Sequence, residues 1–471
     1  MPILPAVQGR SLPQRTPEGT RRPIPTEAKE PWRLACIILA FGAIASVGIL
    51  TINRAYMVPA LVVASASVGV SILLCPILGL IIAFLFSGLG QLAVLVPNFF
   101  SYSKLAALIA TAGYLFRATL FGDLGRAAKS KALLYYMAPA LWFMLIGYFG
   151  VATASEKLMR LYNIAGVIAL AFLVTVVPKN LAQLRAAVFF MITGSALLGV
   201  WVMFYGASGL TAQLYSAVEG VTVYYDHDFG IQLGLAVSLS WLLLLGASRI
   251  TTLMILAADI LLVICVLLTH SRTAWAGVAV SSVLTWLWLI ALRGKWMTGR
   301  FILSVGFIGL VIGALWQQDF FAPVVELISP RIDTMSDPTA TSAGRIEYLW
   351  PAAVDFIRDH PIMGGGLGSS ASLGVAHNAF LEMGVEGGLI AIVIYLISVR
   401  FTLFGSLAAK DSWLRVYGFA LGTYIVTVSQ TNPSTFYTIP YGLVIGVVAW
   451  IEIHGAASMA SPRRFPAPPA H

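Results

Sequence analysis

The sequence predicts an all-α fold, a polytopic transmembrane helix bundle of about 12–14 spans with one large structured periplasmic loop. Composition is the first reason: 59% of the 471 residues are hydrophobic and only 10% are charged, against about 25% charged in a soluble protein. The second is that the apolar residues form runs of about 20, the length of a membrane-spanning helix. Thirdly, basic residues stand singly between these runs, which indicates topology signals and no nucleic-acid partner, despite a net charge of +9.

The predicted organisation follows the apolar runs along the chain. Residues 1–33 are rich in proline and arginine and predict a disordered cytoplasmic tail, and residues 456–471 predict a second one. The transmembrane bundle has a first part at 34–317 and a last part at 388–455, and the periplasmic loop between them, 318–387, carries the candidate site. The predicted spans are 34–52, 57–74, 77–97, 104–121, 132–152, 160–177, 184–206, 229–247, 251–269, 273–293, 301–318, 388–406, 414–431 and 437–455.

The orientation of the bundle is predicted from its basic residues. When the amino terminus is cytoplasmic, most lysines and arginines fall in the inner connections, as the positive-inside rule requires. The chain is therefore expected to be a multi-pass membrane protein with both termini in the cytoplasm. Its three cysteines all lie within apolar runs and indicate neither a disulfide nor a metal site.

The large loop contains a predicted amphipathic helix. Ser342 is placed to cap a helix that runs through Gly344 and Arg345, continues toward Arg358 and stops at His360-Pro361. Pro351 must kink this helix or mark a second start. The apolar residues with helical spacing predict a face that lies along the membrane surface or the bundle. They are Ile346, Leu349, Ala353 and Phe356.

A glycine-rich segment, 364–370, follows the helix. It lacks the Lys-Ser/Thr ending of a nucleotide P-loop. Two interpretations stay open: a flexible turn, or a nest of backbone N–H groups that faces a phosphate.

Three chemically active side chains are expected on the outer face. Arg272 lies at the mouth between two spans, where an arginine is costly unless it snorkels or meets an anion. Arg345 and His377 lie in the large loop on the same predicted side. Together they predict a site for a negatively charged, membrane-borne substrate. Asn378 either orients the imidazole or caps the next helix, and the supporting residues of the site are Asn378, Tyr348 and Ser271.

These motifs together resemble a known family. They are Ser271-Arg272, the Gly344-Arg345 helix with Trp350, the Pro361-to-Gly368 turn, and His377-Asn378 followed by Gly384 and Gly387. In order and spacing they resemble the O-antigen ligase and O-antigen polymerase family of membrane glycosyltransferases, most strongly over residues 229–400. The resemblance implies a glycan donor on undecaprenyl diphosphate at the outer face of the bacterial inner membrane. The implied acceptor is lipid A core or a growing glycan.

The resemblance also implies roles for individual residues. Arg272 and Arg345 would bind the diphosphate, and His377 would act at or near the acceptor hydroxyl. A guanidinium offers paired hydrogen bonds to a leaving diphosphate and stays charged, so two of them can replace a divalent cation. Histidine accepts a proton near neutral pH. We therefore expect an inverting, metal-independent transfer without a cofactor.

One motif departs from this metal-free expectation. Asp226 and Asp228 have the Asp-x-Asp spacing that some glycosyltransferases use for a metal. A short carboxylate pair in a polar loop is more often solvated, so whether these two residues bind a metal is left open.

Two other classes of function are alternatives. A transporter or flippase of lipid-linked glycans is favoured by Asp259, an acid deep within a predicted span. Pairing of Asp259 with the intramembrane Arg117 is the simpler interpretation. A non-catalytic scaffold predicts that replacing Arg345 or His377 leaves surface glycan unchanged. Within the enzyme class, an O-antigen or exopolysaccharide polymerase is the alternative to a ligase.

Overall fold

The structure of the chain is a computed structural model, and its described residues are almost entirely helical. It describes residues 30–52, 57–89, 94–96, 100–121, 129–147, 149–150, 153–201, 217–218, 221–222, 227–244, 247–269, 271–293, 345–373, 377–430 and 438–457. The strands within these ranges form two short antiparallel hairpins, β1 (Val94–Val96) with β2 (Phe100–Ser101) and β3 (Ala217–Val218) with β4 (Val221–Thr222). The predicted all-α class is confirmed.

The helices fall where the apolar runs predict them. Each predicted span coincides at least in part with a helix, except 301–318, which is outside the described residues. The predicted span 77–97 is helical only to Leu89, and residues 94–96 form strand β1. The helices are α1 (Glu30–Ile52), α2 (Met57–Leu74), α3 (Pro76–Leu89), α4 (Tyr102–Phe121), α5 (Lys131–Ile146), α6 (Ala154–Val176), α7 (Leu181–Trp201), α8 (His227–Leu244), α9 (Arg249–Leu268), α10 (Arg272–Arg293), α11 (Trp350–Asp359), α12 (Ser369–Ser372), α13 (Ala379–Phe404), α14 (Ser412–Ser429) and α15 (Ile439–Ala457). A π-helical turn, Arg345–Leu349, precedes α11, and a 3-10 turn, Gly405–Ala408, follows α13.

Several of these helices have the length and composition of membrane spans. Within the described ranges, four are long and apolar enough to cross a bilayer: Ala154–Val176, Leu181–Val200, Ile250–Leu267 and Ala379–Ala408. Shorter apolar helices accompany them at Ile37–Ser46, Val62–Leu74, Pro76–Leu89, Leu133–Ile146, Phe229–Leu244 and Ile439–Gly455. The chain is therefore a polytopic helical membrane protein.

The chain divides into two compact units, Met1–Leu74 and Cys75–His471. In the first, α1 and α2 pack together, and Ser71 Oγ donates a hydrogen bond of 3.1 Å to the carbonyl of Ala35. The second unit contains the other helices, and all the candidate site residues belong to it.

Contacts fix the relative directions of three helices in the second unit, α8, α10 and α14. Gly230 and Gly234 of α8 pack on Ala274 and Val278 of α10, so these two helices run parallel. The hydroxyls of Tyr424 and Tyr417 in α14 donate to the carbonyls of Ile231 and Leu239 in α8, so α14 runs antiparallel to both. The amino ends of α8 and α10 and the carboxyl end of α14 therefore lie at one end of the bundle, here called the site end.

The predicted loop helix is present in two pieces, the π-helical turn and then α11. After the π-helical turn, α11 begins with Pro351 in its first turn. The backbone N–H groups of a first turn have no partner within the helix, so the missing N–H of proline costs no hydrogen bond there. The helix ends before His360, as predicted. Its buried residues are Ala353 and Ile357, which pack with Val385 of α13. The buried face of α11 therefore includes Ile357, which was not among the predicted apolar residues. This face packs against the bundle, one of the two predicted placements.

Candidate functional site

The helix that follows the candidate histidine, α13, is broken at Gly388. This glycine has φ 69° and ψ −168°, which divides α13 into a first half, residues 379–387, and a second half, residues 389–404. The rings of Phe380 and Tyr395 lie 5.2 Å apart, although 15 residues of straight helix would separate them by about 22 Å. The first half therefore folds back beside the second.

The break is stabilised by hydrogen bonds from outside the helix. Leu389 N donates to the carbonyl of Pro361 at 2.8 Å instead of continuing the helix. The freed carbonyl of Val385 accepts from Gly365 N at 2.7 Å and from Ser369 Oγ at 3.2 Å. That of Gly387 accepts from Trp142 Nε1 at 3.0 Å. Orphan carbonyls at a buried helix end need such partners.

The glycine turn, residues 364–370, is a packed structural element. Residues 366–370 are buried, and Gly366 forms an isolated bridge with Gly150 in the connection between α5 and α6. The N–H groups of Gly364, Gly365 and Ser369 already donate to carbonyls of the protein. The segment is therefore a turn, and these three N–H groups are used within the protein and are not available to a phosphate.

Asn378 is the cap of the broken helix. Its Oδ1 accepts from the backbone N–H groups of Phe380 and Leu381 at 3.0 and 3.2 Å, and its Nδ2 donates to the carbonyl of Gln430 at 3.3 Å. Of the two roles left open by the sequence, the structure shows the cap. His377 directly precedes it, partly exposed, with φ 52°, a conformation that is uncommon for a non-glycine residue.

Ser271 and Arg272 begin α10 at the site end. Ser271 is buried against Gly230 of α8, and its Oγ accepts from Ala274 N at 3.4 Å, so it caps the helix. Arg272 is the first helical residue and is partly exposed. The cap at Ser271 therefore fixes the start of α10 and with it the position of the Arg272 side chain.

Arg272 and His377 lie beside the same helix end. Gly277, about 8 Å along α10 from Arg272, packs on Tyr424 and Val428 of α14. Since α10 and α14 are antiparallel, Arg272 lies level with the end of α14, where Gln430 contacts Asn378.

The position of this end relative to the break follows from the packing of α13 on α14. Gly422 packs on Thr402, and Gly418 packs on Ser406. Extending this antiparallel pairing puts Gln430 level with residue 394, about 9 Å below Gly388. Asn378, which contacts Gln430, and the adjacent His377 are thus placed about 9 Å from Gly388 along the bundle axis.

The other loop residues lie on the approach to this site. Arg345 begins the π-helical turn that leads into α11, and the structure describes its backbone alone. Tyr348, in the same turn, is 72% exposed. Neither is brought into a described contact with His377, so their roles stay predictions.

The structure describes the side chain of Asp259 but not those of Asp226 and Asp228. Asp259 Oδ2 accepts a hydrogen bond of 2.8 Å from Ser240 Oγ of α8, so its partner is this hydroxyl and the predicted pairing with Arg117 is wrong. Asp226 lies outside the described residues, and Asp228 is described by its backbone alone.

Two charged residues near the break were missed by the sequence analysis. Arg160 Nη2 of α6 lies 3.8 Å from Glu386 Oε1 of α13, and both side chains are largely buried. Ser370 Oγ donates to the same oxygen at 2.6 Å. A sequence signal existed, because Glu382 and Glu386 are four residues apart and so share one helix face within an apolar stretch.

Together these features define a helical membrane protein with a polar site at one end of its bundle. Residues 257–396 match the family model described as O-antigen ligase, a segment that includes Arg272, Arg345 and His377. The match supports membership of the O-antigen ligase/polymerase family and confirms the resemblance of the motifs. The description of the matched model points to a glycosyltransferase-type membrane enzyme. No curated protein matches the chain.

Proposed function

We propose that the protein is an O-antigen ligase-like glycosyltransferase of the bacterial inner membrane. It transfers a glycan from undecaprenyl diphosphate to an acceptor hydroxyl at the periplasmic face. The main support is that Arg272 and His377 lie beside one helix end, within the segment that matches the family. A partly exposed arginine and a histidine imidazole at one end of a membrane-spanning bundle suit a substrate that is both apolar and anionic.

The proposed reaction is one direct displacement. The acceptor oxygen attacks the anomeric carbon, the bond from that carbon to the diphosphate oxygen breaks, and the configuration inverts. His377 accepts the proton of the acceptor hydroxyl. Arg272 and Arg345 hold the diphosphate, whose negative charge grows as the bond breaks, so no divalent metal is needed.

Supporting residues hold these groups in place in the proposed site. Ser271 caps α10 and sets the position of Arg272, and Asn378 caps α13 and sets that of His377. Tyr348, exposed on the approach from the loop, is proposed to contact the glycan, because tyrosine offers both a flat apolar face and a hydroxyl.

The test is transfer by the purified protein in liposomes containing undecaprenyl-diphosphate-linked glycan and a lipid A core acceptor, with EDTA present. We expect glycan on the acceptor and free undecaprenyl diphosphate. Arg272→Ala, Arg345→Ala and His377→Ala should each lower the rate by roughly 100-fold or more. Arg358→Ala is the control, since Arg358 is exposed on α11. Wild-type rates in all three site variants would reject the proposal.

The same assay separates ligase from polymerase. Donor without lipid A core should give no product if the protein is a ligase. A ladder of longer lipid-linked glycans from donor alone would instead identify an O-antigen or exopolysaccharide polymerase, whose donor and leaving group are the same.

A further inference from the structure

Glu386 joins three separate elements next to the break in α13. Its Oε1 accepts the 2.6 Å hydrogen bond from Ser370 of α12 and faces Arg160 Nη2 of α6 at 3.8 Å. Only 2% of the Glu386 side chain and 13% of the Arg160 side chain are exposed. A buried carboxylate is costly unless it is paired and hydrogen-bonded, so these contacts favour one placement of the first half of α13.

The first half of α13 has apolar and backbone contacts of its own. Val385 packs with Ala353 and Ile357 of α11, and its carbonyl is bonded to the glycine turn. None of these contacts joins the half-helix to α6. The ion pair does so, and it lies about two helical turns from His377.

We propose that Arg160, Glu386 and Ser370 form a positioning network that fixes the first half of α13, and with it His377, against α6. The inference rests on the proposed role of His377 as proton acceptor. Losing the network leaves substrate binding in place and displaces the imidazole from the acceptor hydroxyl. A displacement of about 1 Å in an active site lowers the rate by roughly 100-fold.

The first experiment measures kcat and KM of the purified protein. Glu386→Gln and Ser370→Ala should each lower kcat by roughly 10- to 100-fold with KM within about twofold of the parent. The double variant Asp355→Asn/Arg358→Gln is the control, because it removes an acid and an arginine from the exposed face of α11. Equal loss in the control, or a rise of KM alone, would contradict a positioning role.

A second variant separates positioning from stability. Removing one partner of a buried ion pair destabilises strongly, whereas replacing both by apolar residues of similar size is often neutral. Arg160→Met/Glu386→Leu should therefore unfold near the parent temperature and still show the loss of kcat. Recovery of kcat together with stability would mean that the pair only supports the fold, and the inference would be wrong.

A third measurement does not depend on transfer activity. Ala379, at the start of the half-helix, is 1% exposed. In a background with Cys36, Cys75 and Cys265 replaced by serine, Ala379→Cys should react slowly with a water-soluble maleimide, and several-fold faster when Glu386→Gln is added. Unchanged labelling would overturn the network. If the parent protein transfers no glycan, the proposed function fails, while the labelling still decides whether Glu386 fixes the half-helix.

Discussion

At the scale of single residues, the site depends on two caps. Ser271 and Asn378 each accept hydrogen bonds from the first N–H groups of a helix, and each adjoins a candidate functional side chain. The sequence alone left two roles for Asn378, because asparagine suits both a cap and an imidazole partner. Only the backbone geometry at Phe380 and Leu381 decides between them.

The cap at Asn378 predicts a specific order of stabilities. Asn378→Ala should lower the free energy of unfolding by about 1 kcal/mol, since the N–H groups of Phe380 and Leu381 lose their acceptor. Asn378→Ser should cost less, because serine caps about as well as asparagine. Thermal unfolding of the solubilised protein measures both variants. Equal stability of the two would show that the capping bond contributes nothing measurable.

At the scale of elements, α13 and the glycine turn depend on each other. The turn supplies two donors to the carbonyl of Val385, and Pro361, just before the turn, supplies the acceptor for Leu389 N. Hydropathy predicted a span at 388–406 and so found the second half of α13. It could not predict that residues 379–387 fold back, because the hydrogen bonds that permit this come from a turn elsewhere in the chain.

The break predicts that Gly388 tolerates no side chain. At φ 69°, a Cβ there would lie 2.3 Å from the carbonyl oxygen of Ile362. Gly388→Ala should therefore lower the free energy of unfolding by roughly 1–3 kcal/mol from backbone strain alone, and transfer should fall with it. The matched control is Gly69→Ala in α2, where a Cβ meets nothing within 4 Å.

The control should leave stability unchanged or raise it by roughly 0.5–1 kcal/mol, because alanine favours a helix more than glycine does. Similar melting temperatures for both alanine variants would argue against a required break at Gly388.

At the scale of the whole molecule, composition and hydropathy were enough to predict the helices. Because a bilayer requires long apolar helices, the position of each helix can be predicted from the hydropathy of its own residues. The pair Arg160 and Glu386 was not predictable in this way. The pair joins two helices that are far apart along the chain. In the sequence, each residue alone has the position of an ordinary charged residue near the end of a span.

The proposed periplasmic site requires that the site end of the bundle faces the periplasm. Contacts put Arg272 and His377 at the site end, together with the carboxyl end of α14. The opposite end contains the hydrogen bond of 2.6 Å from Arg185 Nη2 to the carbonyl of Leu243 and the bond of 2.9 Å from Ser130 Oγ to Glu452 Oε2. The positive-inside rule predicts that this opposite end is cytoplasmic.

Thiol labelling of whole cells tests this orientation. In the cysteine-free background, Asp355→Cys on the exposed face of α11 should react with a membrane-impermeant maleimide in intact spheroplasts. Lys410→Cys, exposed between α13 and α14, should react only after the membrane is permeabilised. The physical reason is that a bilayer blocks a charged reagent, so each thiol reports its own side. The reverse pattern would put Arg272 and His377 at the cytoplasmic face, where they would be unable to meet a donor presented outside.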